Sequence, residues 1–114
     1  MAKKFKTLKM KKTSPGDISF DVKMKVIKRD KGKCVCCGDS KNAEPNAHFI
    51  PRAEGGMGIE ENIVTLCNNN SENKCHFKFD FGTEEEKTEL GNKIKEYLIK
   101  CYPGWNEEKV RFKK

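Results

Sequence analysis

The sequence predicts a small α+β domain, and three observations carry that expectation. Two short apolar runs, residues 47–50 and 63–66, read as strands joined by a glycine-bearing loop. Three stretches, 19–30, 74–81 and 83–101, carry helical spacing or helix-capping chemistry. Six cysteines stand in 114 residues of which only 35% are hydrophobic and 36% charged, so a thin core needs a staple. The length fits one domain.

Residues 1–16 read as a flexible basic arm. Lys3, Lys4, Lys6, Lys9, Lys11 and Lys12 outnumber Phe5, Leu8 and Met10, which make no helical face. Thr13-Ser14-Pro15-Gly16-Asp17 is turn chemistry that ends the arm. Ser19 can cap a helix running to Asp30, with Asp21 in its first turn. Val22 and Val26 lie four apart with Ile27 beside them, giving a packing face, and Gly32 stops the helix. Lys28 and Arg29 either complement the helix dipole or face a phosphate.

Cys34-Val35-Cys36-Cys37-Gly38 reads as a knuckle, two thiolates two residues apart with a glycine that lets the backbone turn back. Residues 39–46 are a polar loop, and Pro51 ends the first strand. Gly55, Gly56 and Gly58 make the connecting loop either a plain connector or a place where a DNA backbone approaches closely. The helix at 74–81 ends at Gly82. Thr83 with Glu86 forms a capping box for the next helix, along which Leu90, Ile94, Leu98 and Cys101 share a face. Residues 102–105 turn the chain, and 110–112 alternate like a short edge strand. The organisation is an arm (1–16), a core including the N-terminal helix (17–82), and a C-terminal helix and tail packed on that core (83–114).

The net charge of +7 is uneven, +9 over residues 1–52 and −2 over 53–114, and the pI is near 9.1. A basic front half suits a polyanion such as nucleic acid, or a solvated face. No apolar run reaches 18 residues and no signal peptide opens the chain, so the expected setting is cytoplasmic, with no membrane partner. A reducing compartment favours thiolate ligands over disulfides. Cys34 and Cys37 with Cys67 and Cys75 could surround one zinc ion. Cys36 would be strained as a neighbouring co-ligand and reads as a small half-buried side chain, and Cys101 as a core residue. A reduced, metal-free set is the other reading.

The order Cys-x-x-Cys, His48, Gly-Gly, Asn62, Cys67, Cys75-His76 resembles the HNH endonuclease family over roughly residues 28–80. The resemblance implies a zinc-stapled ββα-metal core of treble-clef type with flanking helices. It also implies a metal-dependent DNA endonuclease with His48 as general base. Asn62 would tie the long loop and hold His48. His76 would ligate a catalytic Mg²⁺ or Mn²⁺, with Asp80 four residues on along the same helix face. Arg52 would clamp a phosphate oxygen or serve as a surface charge.

This sequence departs from the family pattern in two places. Seven residues separate Cys67 from Cys75 where the family usually has two, a loop of modest entropic cost. Ala47 stands where many members place a metal-binding Asp, Glu or His. That leaves the ion to fewer protein ligands and more water, or to Asp80 or Glu44, or leaves a zinc-stapled DNA- or protein-binding module without activity. An aspartate at position 47 would be expected to restore a hard oxygen ligand. Small proteins of this kind occur in bacteria and phages, in restriction, homing and packaging, as monomers, homodimers or parts of larger assemblies.

Overall fold

A computed structural model describes residues 14–112, so the lysine-rich arm up to residue 13 and the final two lysines lie outside the described residues. The described chain runs α1 (Phe20–Asp30), β1 (Ala43–His48), a 3-10 turn (Arg52–Glu54), β2 (Ile63–Cys67), α2 (Cys75–Phe81), α3 (Glu84–Cys101) and a second 3-10 turn (Glu107–Val110). This is a small α+β architecture: one antiparallel pair, β1–β2, with the helices packed around it.

The helix ends follow the local chemistry. The Ser19 hydroxyl accepts the Val22 N–H at 3.1 Å. Thr83 and Glu86 cap each other reciprocally, at 2.9 and 3.1 Å. Lys31, one residue before the expected Gly32, takes the left-handed conformation that closes α1 (φ 58°). The packed face of α1 also differs from expectation. Val26 is fully buried, but Ile27 is 36% exposed. Arg29 and Asp30 complete the face instead, because the helix carries them round to the same side as Val22 and Val26.

Arg29 faces neither solvent phosphate nor its own helix end. Its guanidinium turns inward and donates to Asp30 in two places (2.7 and 3.0 Å), to the backbone carbonyls of Glu60 and Ile63 (2.7 Å each) and to the Tyr102 hydroxyl. It also lies over the rings of Tyr97 and Tyr102. The Asp30 carboxylate further accepts the Thr65 N–H of β2 (2.9 Å) and the Tyr97 hydroxyl of α3 (2.6 Å). One buried ion pair therefore binds α1, β2, α3 and the 102–105 turn together.

β1 starts four residues earlier than the expected strand and stops at His48. Ala43 and Glu44 pair with Cys67 and Leu66, then a bulge precedes the pairs Ala47–Val64 and His48–Ile63. The bulge accommodates Pro45, which has no N–H for the ladder. It also sets the faces beyond it: Ala47 points into the apolar core and is fully buried.

β2 is buried along its whole length. Leu90, Ile94 and Leu98 of α3 join its Val64 and Leu66 in the core, with Trp105 and Val110 closing one side. The expected edge strand at 110–112 forms only partly: 107–110 coil into the 3-10 turn, and Arg111 bridges Gly56. Two loop glycines serve the protein's own packing. A Cβ on Gly56 would collide with the Ile50 carbonyl, and one on Gly58 with the Asp17 carbonyl. At Gly56 and Gly58 the loop is thus a close backbone crossing and not a slack connector.

Asp30→Ala leaves the Arg29 guanidinium buried without its carboxylate. The expected loss is about 3–5 kcal/mol, read as a lower urea midpoint with an unchanged slope. Ile27→Ala, on the exposed side of the same helix, should shift the midpoint little.

Candidate functional site

Four sulfurs converge where the knuckle loop, the end of β2 and the start of α2 meet. The ligand atoms of Cys34, Cys37, Cys67 and Cys75 all lie within 4.8 Å of one another. At a Zn–S distance of about 2.3 Å, tetrahedral sulfurs stand about 3.8 Å apart. Cys37 Sγ and Cys67 Sγ are 3.7 Å apart, so the donor set fits an ion such as zinc. Backbone amides point at the sulfurs, Cys37 N–H to Cys34 (3.4 Å) and Cys75 N–H to Cys67 (3.1 Å). Gly38 supplies the left-handed turn (φ 85°) that closes the knuckle. The polar loop before Cys75 holds the wide ligand gap, with Ser71 buried and Asn68 Oδ1 accepting the Asn70 N–H (2.9 Å).

The thiols differ in their surroundings. Hydrogen bonds from the Cys36 thiol and nearby amides hold Cys34 down to about 4. The same contact with Cys34 pushes Cys36 up, which makes Cys36 a donor to a ligand. Desolvation raises Cys75 and, more weakly because its side chain is exposed, Cys37, a cost that a bound cation would offset. Cys101 is half-buried at the end of α3, apart from the cluster.

A cleft of about 460 Å³ lies on the other side of α2, lined by Asn46, His48, Arg52, His76, Asp80 and Lys87 among others. The histidine, arginine and aspartate singled out in the sequence therefore share one cavity. His48 Nε2 lies 2.8 Å from the Gly16 carbonyl oxygen. A carbonyl only accepts, so this nitrogen carries the proton and Nδ1 keeps its lone pair. Burial is the main cause that lowers the His48 pKa below 6.5; the Gly16 bond opposes it. His76 Nε2 and Asp80 Oδ2 sit 3.2 Å apart, one turn from each other on α2.

No protein-family model, curated protein or solved structure matches this chain.

Asn62 is fully buried and ties the loop as its position suggests. Its Oδ1 accepts the Ile50 N–H (2.8 Å), and its Nδ2 donates to the carbonyls of Ile50 and Met57. Its own carbonyl accepts the Phe49 N–H (2.8 Å), next to His48. Arg52 is half-committed: one terminal nitrogen donates to Asp17 (2.6 Å) and Ser14 (3.1 Å). Glu44 does not line the cleft; its carboxylate takes the amides of Asn46 and Asn68. Ala47 is in the core, so Ala47→Asp would bury a carboxylate among apolar side chains. Asn46, two residues before His48, is the β1 side chain that shares the cleft with it.

Among the described residues, the cysteine set is the one group of three or more His, Cys, Asp or Glu placed to hold an ion. His76 and Asp80 form a pair only, in contact with each other.

Two supports escape a sequence reading. Residues 14–17, whose first three fall in the expected arm, form a docked turn: the Pro15 carbonyl accepts the Gly58 N–H (2.8 Å) and the Gly16 carbonyl holds His48. Nothing in the residue types signals that contact. The second is aromatic. Phe49 stacks on Phe79 of α2 (6.1 Å) and meets Trp105 edge-on (5.6 Å). Phe49 adjoins His48 and Phe79 adjoins Asp80, so the stack fixes strand against helix. The four-residue step from Cys75 to Phe79 was the available signal.

The protein should hold one zinc ion per chain by elemental analysis. Cys34→Ser or Cys67→Ser should be insoluble or molten, whereas Cys36→Ser should keep both zinc and fold. Because Cys37 and Cys75 must lose raised-pKa protons to bind, zinc retention should fall as the pH falls, measurable by chelator competition.

Proposed function

We propose that the protein is a metal-dependent DNA endonuclease with His48 as its general base. The observation that carries this reading is the His48 ring. Burial lowers its pKa, its Nε2 sits on the Gly16 carbonyl, and the residue lines a cleft with Arg52, His76 and Asp80. The net charge of +7 and the order of the motif residues support a polyanionic substrate.

In this reading Nδ1 of His48 takes a proton from a water molecule, and the oxygen attacks a phosphodiester phosphorus. Arg52, steadied by Asp17, directs a remaining N–H at a phosphate oxygen. A Mg²⁺ or Mn²⁺ ion at His76 and Asp80 would neutralise the phosphate and stabilise the departing oxygen. Asn62 keeps the 50–57 loop closed so that His48 does not swing.

A second reading, a zinc-stapled DNA-binding module without activity, is favoured by one observation: Ala47 lies in the core and leaves two protein ligands at the cleft.

Nicking of supercoiled plasmid with added Mg²⁺ or Mn²⁺ separates the two. His48→Ala should lose about 100- to 10,000-fold in rate while keeping fold and affinity. Duplex binding with no cleavage at any metal concentration would establish the binding module.

The pH profile is a further check. A base whose pKa lies below 6.5 is already deprotonated at neutrality, so the rate should be flat near pH 7 and fall on acidification. Asp80→Ala should raise the metal concentration needed for half-maximal nicking; the parent's metal dependence in that variant removes Asp80 from the site.

A further inference from the structure

α2 carries three rows of side chains around its circumference. Cys75 and Phe79 face the core. His76 and Asp80 form the next row, and Phe77 and Phe81 the one after, each row a one-turn pair set about 100° from its neighbour. The last row is the unusual one. Phe77 is 47% exposed and Phe81 74%, and their rings touch with centroids 5.6 Å apart. Asn68, Asn69, His76 and Asp80 line a shallow groove with them. His76, Asp80 and Phe81 also line the His48 cleft, so groove and cleft are one continuous surface.

We infer that the Phe77–Phe81 pair is a stacking platform for an unstacked nucleobase, and that the preferred substrate is DNA with unpaired bases beside the cut. This rests on the nuclease reading of the cleft for its phosphate half. A strand whose phosphate lies at Arg52, His76 and Asp80 passes directly onto the phenyl rings. The rings are inclined 46° to each other, so a base stacks on the more exposed Phe81 with Phe77 at its edge; an aromatic face binds bases of any sequence through its π surface, which an intact duplex keeps hidden. Lys87 and Arg52 line the cleft with Glu54 and Asp80, so the contact that favours a strand here is the continuity of cleft and rings. The exposed amide of Asn69 stands where it can meet a base edge. A second copy of the chain is a poorer occupant, since two phenyl rings fall far short of the roughly 800 Å² per partner of a stable interface.

The test is binding rather than cleavage, so that it stands apart from the nuclease reading. The intact, zinc-loaded protein is titrated, without added Mg²⁺ or Mn²⁺, into oligonucleotides carrying 2-aminopurine either in an unpaired bulge or in a full duplex. The bulged DNA should bind more tightly, with its fluorescence changing as the base stacks. The double variant Phe77→Ala/Phe81→Ala should bind it about 5- to 150-fold more weakly and lose the preference over duplex. Phe81→Trp should keep the preference and Phe81→Leu should lose it, since leucine is apolar without a π face. Circular dichroism and zinc content verify that each variant is folded.

Equal affinity for the two DNAs, or a double variant that binds like the parent, overturns the inference. So does a double variant that changes only the oligomeric state. If stacking persists while no metal gives nicking, the endonuclease reading falls and the platform stands.

Discussion

Four sulfurs from three separate stretches of chain must come together for this domain to have a centre. Thiols so close cannot all ionise without a cation between them, because like charges at that spacing repel strongly. The knuckle at 34–37, the end of β2 and the start of α2 are otherwise joined by polar loops with little apolar surface to bury. A bound ion of the zinc type would fix all three at once, and with them the orientation of α2. Such anchoring would also bear on the far side of α2, where His76 and Asp80 lie.

The cleft is framed by different forces from those that hold the cysteine cluster. The Phe49–Phe79 stack sets the separation of strand and helix, Asn62 closes the loop beneath, and the 14–17 turn holds the His48 ring from outside. Gly56 and Gly58 permit the backbone crossings this requires, since a side chain at either would displace Ile50 or Asp17. The buried Arg29–Asp30 pair does comparable work on the opposite face. Its charges are tolerated there because each available oxygen and nitrogen has a partner among backbone, tyrosine and carboxylate groups.

α2 is the element where these arrangements meet. Within seven residues it contributes a cysteine to the four-sulfur cluster, an aromatic to the core, a His–Asp pair to the cleft and an exposed phenylalanine pair to the groove. A helix so short has no redundancy: its inner face carries Cys75 and Phe79, and its outer face carries the His–Asp and phenylalanine pairs side by side.

Patterns local in the chain were legible in the sequence. The capping box at Thr83, the Leu90–Ile94–Leu98 face, the Cys34/Cys37 knuckle and the one-turn relation of His76 to Asp80 depend only on residue type and helical or turn geometry, so their spacing determines them. Of the residues singled out in the sequence, His48, Arg52, His76 and Asp80 line one cleft, and Asn62 ties the adjoining loop. What the tertiary structure alone decided depends on contacts between distant segments. A bulge around Pro45 turned Ala47 inward and left Asn46 beside His48. Packing across α1 made Arg29 a buried hub and left Ile27 outside. The docking of residues 14–17 gave His48 its partner. None of these follows from spacing, because each is settled by which surface lies opposite once the chain has closed on itself.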